Sequence, residues 1–208
     1  MFENLDLELI AAWVGNHPSL APVVVFLVTF SESLAFIGLF MPGAVLMAMI
    51  GALVALGVLD LVPVLVWAVA GAFAGDGVSY LLGWKLQGRS AEIWPFSRHP
   101  GWFQRGESFF YRYGVFSVVL ARFVGPVRPI VPLVAGVLGM RPGLFYLTNG
   151  LSALVWAPLY LAPGYLLGSS LTSLSISGTK LVLGVILVGV IGWMTWRLRF
   201  GWRRFWDV

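Results

Sequence analysis

The reading of the fold turns on residues 115–140, which run VFSVVLARFVGPVRPIVPLVAGVLGM. The stretch is apolar apart from Arg122 and Arg128, and Gly125-Pro126-Val127-Arg128-Pro129 breaks it near its middle. Its halves, 115–124 and 130–139, hold ten residues each. At helical rise ten residues reach about 15 Å, half of the roughly 30 Å hydrocarbon core that a crossing helix must span. Neither half can cross. Together they predict a re-entrant hairpin that enters the membrane, turns at Gly125, Pro126 and Pro129, and leaves on the side it came from. Residues 20–59 form one long apolar stretch with Glu32 as its single charge, interrupted at Met41-Pro42-Gly43; the part after the break, 44–59, has sixteen residues, marginal for a span, so the hairpin reading here goes by analogy with 115–140. We read it as a second hairpin, with its break at Pro42 and Gly43. Bare backbone at membrane depth survives only where protein or a wet cavity covers it, so two breaks predict a cavity.

Composition supports a lipid environment. Of 208 residues 59% are hydrophobic and 11% charged, against about 25% charged in a soluble domain. The 10 Trp suit a protein that lines two lipid–water boundaries. The absence of Cys excludes disulfides, thiolate metal sites and thiol nucleophiles. The net charge of +4 is clustered beside apolar runs, which argues for membrane topology and against a nucleic-acid partner. No nucleotide-binding loop, metal-binding helix or nucleophile elbow is present, so neither a metal nor a cofactor is expected. His17 and His99 stand alone in loops.

The expected class is an all-α polytopic membrane protein with two re-entrant helical hairpins and transmembrane helices arranged as an inverted repeat. Residues 1–19 form an acidic N-terminal interfacial segment. Residues 20–170 are expected to form the main membrane domain, with hairpins at about 20–59 and 115–140, spans at about 61–83 and 144–168, and a basic, aromatic loop at 84–113. Residues 171–208 supply a last transmembrane helix and a basic tail. Lys85, Arg89, Arg98, Arg105 and Arg112 in the loop, and Arg197, Arg199, Arg203 and Arg204 in the tail, place both on the cytoplasmic side by the positive-inside rule. The repeat rests on an echo: Gly51 precedes Tyr80-Leu81-Leu82-Gly83 by the same separation as Gly136 precedes Tyr165-Leu166-Leu167-Gly168. Inverted repeats of broken helices, with the site at their interface, are a recurring transporter plan.

Four ionisable residues lie inside apolar runs: Glu32, Asp76, Arg122 and Arg128. Each costs about 2.5–3.5 kcal/mol at a helix centre, so such residues normally face a partner or a cavity. A bland alternative is a buried Glu32–Arg122 pair that fixes packing. Asp76, between Gly75 and Gly77, could equally satisfy a nearby backbone break. Arg128 sits at a break where backbone N–H groups are free, a good receptor for phosphate or carboxylate. The expected division of work gives Arg122 and Arg128 the anionic head group, and Glu32, with Asp76, the role of proton switch.

These residues carry a resemblance to the DedA family of bacterial membrane proteins. It runs through Glu32, Ile37-Gly38-Leu39-Phe40 and Pro42-Gly43; Gly75-Asp76 with Tyr80 and Gly83; and Tyr111-Arg112-Tyr113-Gly114 leading to Arg122-Phe123, Pro126, Arg128 and Ala135-Gly136. Phe145, Asn149, Trp156 and Gly164-Tyr165 continue it. The resemblance implies facing re-entrant hairpins, lipid transport in the bacterial cytoplasmic (inner) membrane, and functional roles for Glu32, Arg122 and Arg128. The implied substrate is undecaprenyl phosphate, the lipid carrier of wall synthesis. Many members carry an acid after the Pro-Gly, whereas this chain has Ala44. The expected function is a flippase for undecaprenyl phosphate, with protons as coupling partner and no enzymatic activity. Its rivals are a phosphatidylethanolamine-type flippase or scramblase, a lipid phosphatase, and a scaffold whose charges only pair with one another.

Overall fold

The structure, a computed structural model, describes residues 20–39, 41–87, 100–123 and 128–172. Among them are seven α-helices, one 3-10 turn and no strand. Helix α1, Ala21–Ser33, starts with a proline in its first turn, where the missing N–H costs nothing. It stops where Leu34 turns extended. The 3-10 turn Ile37–Leu39 follows, and Pro42 caps α2, Gly43–Ala55. The remaining helices are α3, Leu61–Lys85; α4, Pro100–Tyr113; α5, Phe116–Ala121; α6, Ile130–Val137, capped by Pro129; and α7, Pro142–Thr172.

Length sorts these helices. α3 and α7 are long and apolar enough to cross a membrane, reaching about 37 and 46 Å. α1 and α2, with 13 residues each, reach about 20 Å, and α5 and α6 less. The long helices outrun the sequence expectation at both C-termini, to Lys85 and Thr172 instead of 83 and 168. In α7 the Ser169 and Ser170 hydroxyls donate to the Leu166 carbonyl at 3.0 and 2.8 Å, so polar side chains continue the helix on its own backbone. In α3 the Lys85 cation lies in the last turn, where the helix dipole favours it.

The short helices divide their packing between the two long ones. α1 lies along α3 and α5 against α7, each on the long helix that follows in its own half. The second arms exchange: α2 lies along α7 and α6 along α3. Glycine makes both exchanges close. A Cβ on Gly51 would strike the Leu161 carbonyl, and one on Gly164 the Ala48 carbonyl. At the other crossing a Cβ on Gly136 would strike the Tyr80 carbonyl, and one on Gly83 the Leu133 carbonyl. Both second arms also end alike, on Gly57 and Gly139 at φ +71°. Val58 N–H reaches the Leu53 carbonyl at 3.0 Å, and Met140 N–H the Ala135 carbonyl at 3.0 Å, the crossed bond of a glycine C-cap. These caps pair Gly57 with Gly139, which leaves Gly51 and Gly136 about one turn out of step. The four-letter echo and the caps therefore give different registers.

Polarity runs inside out. Thr29, Ser33, Ser79, Asn149 and Ser152 are buried, while Val62, Leu147, Leu151, Leu154, Leu159 and Leu166 are more than half exposed. On α7 the buried Asn149, Ser152 and Trp156 share one face. Such an arrangement suits a solvent as apolar as leucine. Helix α4 covers α6, and a Cβ on Gly106 would lie 2.9 Å from the side chains of Ile130 and Val134. The interfacial segment 1–19, residues 88–99 of the basic loop, the break residues Gly125 and Pro126, and the tail from 173 lie outside the described residues.

Candidate functional site

The two breaks meet. A Cβ on Gly38, in the 3-10 turn, would lie 3.1 Å from the Pro129 Cβ. Backbone freed at the first break is taken up by α3: Ala35 N–H donates to Ser79 Oγ at 2.9 Å, and Ser79 donates in turn towards the Gly75 and Ser33 carbonyls at 2.9 and 3.3 Å. Ser79 thereby fixes the end of α1, and Glu32 with it, against the helix that carries Asp76.

All four ionisable residues singled out from the sequence are buried: Glu32 4%, Asp76 4%, Arg122 3% and Arg128 7% exposed. They form two ion pairs, Arg122–Asp76 and Arg128–Glu32. This corrects the partnering considered from sequence, in which Glu32 met Arg122. The reason is tertiary: Arg128 precedes α6 at the break facing the end of α1, whereas Arg122 ends α5, which lies on α7.

The two arginines are held differently. Arg122 donates through Nη2 to Asp76 and to Asn149 Oδ1, and through Nε to Ser152 Oγ at 3.0 Å. Its acceptors are anchored as well: Asn149 Nδ2 donates to the Phe73 carbonyl at 3.2 Å, and Ser152 to the Asn149 carbonyl at 2.9 Å. Arg128 has Glu32 and a long contact from Nη2 to Ser33 Oγ at 3.4 Å. Glu32 is pressed against the start of α2, since a Cβ on Gly43 would collide with its carboxyl group. A helix start favours negative charge, so this carboxylate occupies a position that suits any anion.

Trp156 joins the pairs. Its ring centroid is 4.4 Å from Arg128 Cζ and 5.7 Å from Arg122 Cζ, and the residue is fully buried. The structure thus gathers Glu32, Asp76, Arg122 and Arg128 with Pro129 at one locus, and sets Gly43 against Glu32. Ala44, where many DedA members carry an acid, is exposed. Sequence reasoning missed Ser33, Ser79, Ser152, Asn149 and Trp156 as site residues. For the last three a signal was present: polar or indole groups at 149, 152 and 156 fall on one face of an otherwise uncharged apolar run. Among the described residues, no group of His, Cys, Asp and Glu is arranged to hold a metal ion.

Comparison with known proteins agrees with the membrane reading. Residues 41–166 match the VTT domain family. The chain is 35% identical over 182 residues to the inner membrane protein YabI of Escherichia coli K12, covering 85% of this chain and 71% of the relative. It is 30% identical over 201 residues to an uncharacterized membrane protein of Buchnera aphidicola subsp. Baizongia pistaciae, covering 94% and 77%. The inner membrane protein YqjA of E. coli K12 is 27% identical over 216 residues, covering 96% and 98%. No solved structure matches the chain.

Proposed function

The chain belongs to the VTT-domain (DedA) family of membrane proteins, a family associated with membrane lipid handling, and from that premise we propose that it is a lipid translocase for undecaprenyl phosphate in the bacterial inner membrane. The observation that carries the proposal is the buried pairing of two arginines with two carboxylates where two helix breaks meet. Charges so placed are expensive, and a paired cluster is weak evidence for stability. Function accounts for them better.

The pairing suggests how a proton enters. A phosphate that seeks Arg128 must compete with Glu32, which already holds it. Protonation of Glu32 removes the competitor, and loss of that proton restores it and expels the phosphate. Arg122, fastened by Asp76, Asn149 and Ser152, would serve as the fixed cation, and Arg128 as the exchangeable one. The prenyl tail would stay in lipid, and no bond in the substrate would change, so we do not assign an enzymatic step. Two pairs of arms too short to cross favour re-entrant hairpins. The reciprocal packing of α2 on α7 and α6 on α3, with matching glycine caps, favours an inverted repeat. The positive-inside rule favours a cytoplasmic C-terminus in a multi-pass chain.

The test is transbilayer movement of labelled undecaprenyl phosphate in liposomes containing the purified chain, with phosphatidylethanolamine as competitor. Accelerated movement that Arg128→Ala abolishes supports the proposal. Movement of phosphatidylethanolamine alone would favour the phospholipid flippase, and phosphate release would favour the phosphatase.

A further inference from the structure

Five buried side-chain polar atoms have no hydrogen-bond partner among the described residues: Glu32 Oε2, Ser117 Oγ, Arg122 Nη1, Arg128 Nε and Trp156 Nε1. Folded proteins leave few such atoms, and each needs a reason. Four of the five belong to residues linked directly: Trp156 lies against both guanidinium groups, and Arg128 pairs with Glu32. Three of these four are donors. Stacking on a guanidinium needs only an aromatic face, and phenylalanine would supply one. The indole N–H adds nothing to that packing and is costly to bury unpaired.

We infer that Trp156 is a head-group ligand, and that with Arg122 Nη1 and Arg128 Nε it selects a phosphate monoester over a phosphodiester. The inference rests on the translocase reading and narrows its substrate. Three donors on three separate side chains match the three terminal oxygens of a monoester. A diester replaces one of those anionic oxygens by an ester oxygen, a far weaker acceptor, so the donor aimed at it loses most of its hydrogen bond. A site built to hydrogen-bond a group rejects the analogue that lacks it, because its own buried polar atom is then stranded. The chemistry is that of a terminal phosphate, which a polyprenyl monophosphate and free inorganic phosphate share.

The test is binding to the full chain in detergent, with three probes: undecaprenyl phosphate, inorganic phosphate and phosphatidylethanolamine. Wild type should bind the polyprenyl monophosphate about tenfold or more tighter than the diester. Trp156→Phe keeps the aromatic face and removes the donor. It should lose about tenfold on the monoester, keep its affinity for the diester, and so erase the preference. Trp156→3-benzothienylalanine, which keeps ring size without the N–H, should do the same if the phenylalanine variant does not fold. Unchanged monoester binding in these variants, with binding still lost in Arg128→Ala, overturns the role of Trp156 and leaves the translocase reading standing. Failure of wild type to bind any phosphate probe overturns both. Inorganic phosphate bound as tightly as the lipid, and weakened by Trp156→Phe, supports the ligand role and assigns the source to free phosphate.

Discussion

Glu32 and Asp76 are both buried carboxylates paired with arginine, yet the arginines they pair with are held differently. Arg122 has two neutral acceptors besides Asp76, whereas Arg128 depends on Glu32 and one distant hydroxyl. Glu32→Gln should therefore abolish translocation while leaving phosphate binding intact. Wild-type binding should tighten as pH falls, because a proton on Glu32 frees Arg128, and the variant should lack that increment. Measuring both across one pH range cancels the titration of the phosphate itself. Asp76→Asn removes the counter-charge of a guanidinium held in place by Asn149 and Ser152. It should act mainly on stability, lowering it by about 3–5 kcal/mol as for a broken buried pair, read as a fall in thermal midpoint. The four charged residues were legible in the sequence because an ionisable group in an apolar run is costly enough to need a reason. Their partnering was not, since it depends on which arm packs on which long helix. Trp156 escaped notice because an indole in an apolar helix is ordinary until its N–H proves unpartnered.

At the scale of elements, the breaks could be read directly from Pro and Gly, and the insufficient length of 115–124 and 130–139 from residue counts, whereas 20–59 reads as a hairpin only by analogy with them. The exchange of second arms could not be read, since glycines at close crossings look like any others in a glycine-rich chain. The crossing of α3 and α6 offers a sharp test. A Cβ on Gly136 would meet backbone on every side, at the Tyr80 carbonyl, Gly83 and Trp84, and backbone does not yield as a side-chain tip does. Gly136→Ala should cost about 1–3 kcal/mol through overpacking. Gly143→Ala, with nothing within 4 Å, should change stability by less than about 0.5 kcal/mol. Equal thermal midpoints for the two variants would show that α6 does not press on α3. Helix α4 lies in the basic aromatic loop, whose aromatic residues read from sequence as an interfacial belt or surface helix. Its glycine contact with α6 shows that it also shields the short arm beneath it.

For the whole molecule, composition was enough to name the solvent, because 11% charged residues cannot cover a soluble chain of this size. Orientation is a separate matter, and the lack of cysteine makes it measurable. Asp60 precedes α3 and Arg141 precedes α7, and both are exposed. If both broken segments re-enter, Asp60→Cys and Arg141→Cys should react with a membrane-impermeant maleimide from opposite faces, with Arg141→Cys labelled from the cytoplasm. Labelling of both from one face would refute the inverted arrangement. Ligand should also stabilise the fold, by about 2.7 kcal/mol at a hundredfold excess over Kd, and Arg128→Ala should remove that gain.

The matched ion pairs carry one more consequence. Two carboxylates balance two guanidiniums, so under the proposed translocase reading an empty protein would move no net charge through the membrane voltage, and its return stroke would be indifferent to that field. A loaded one would not be: each uncompensated charge is worth about 2.3 kcal/mol per 100 mV, and an interior-negative potential would resist an anion carried inward. On the proposed reading, a hydrogen ion taken up by Glu32 at the outer face and carried with the phosphate would cancel part of that opposition.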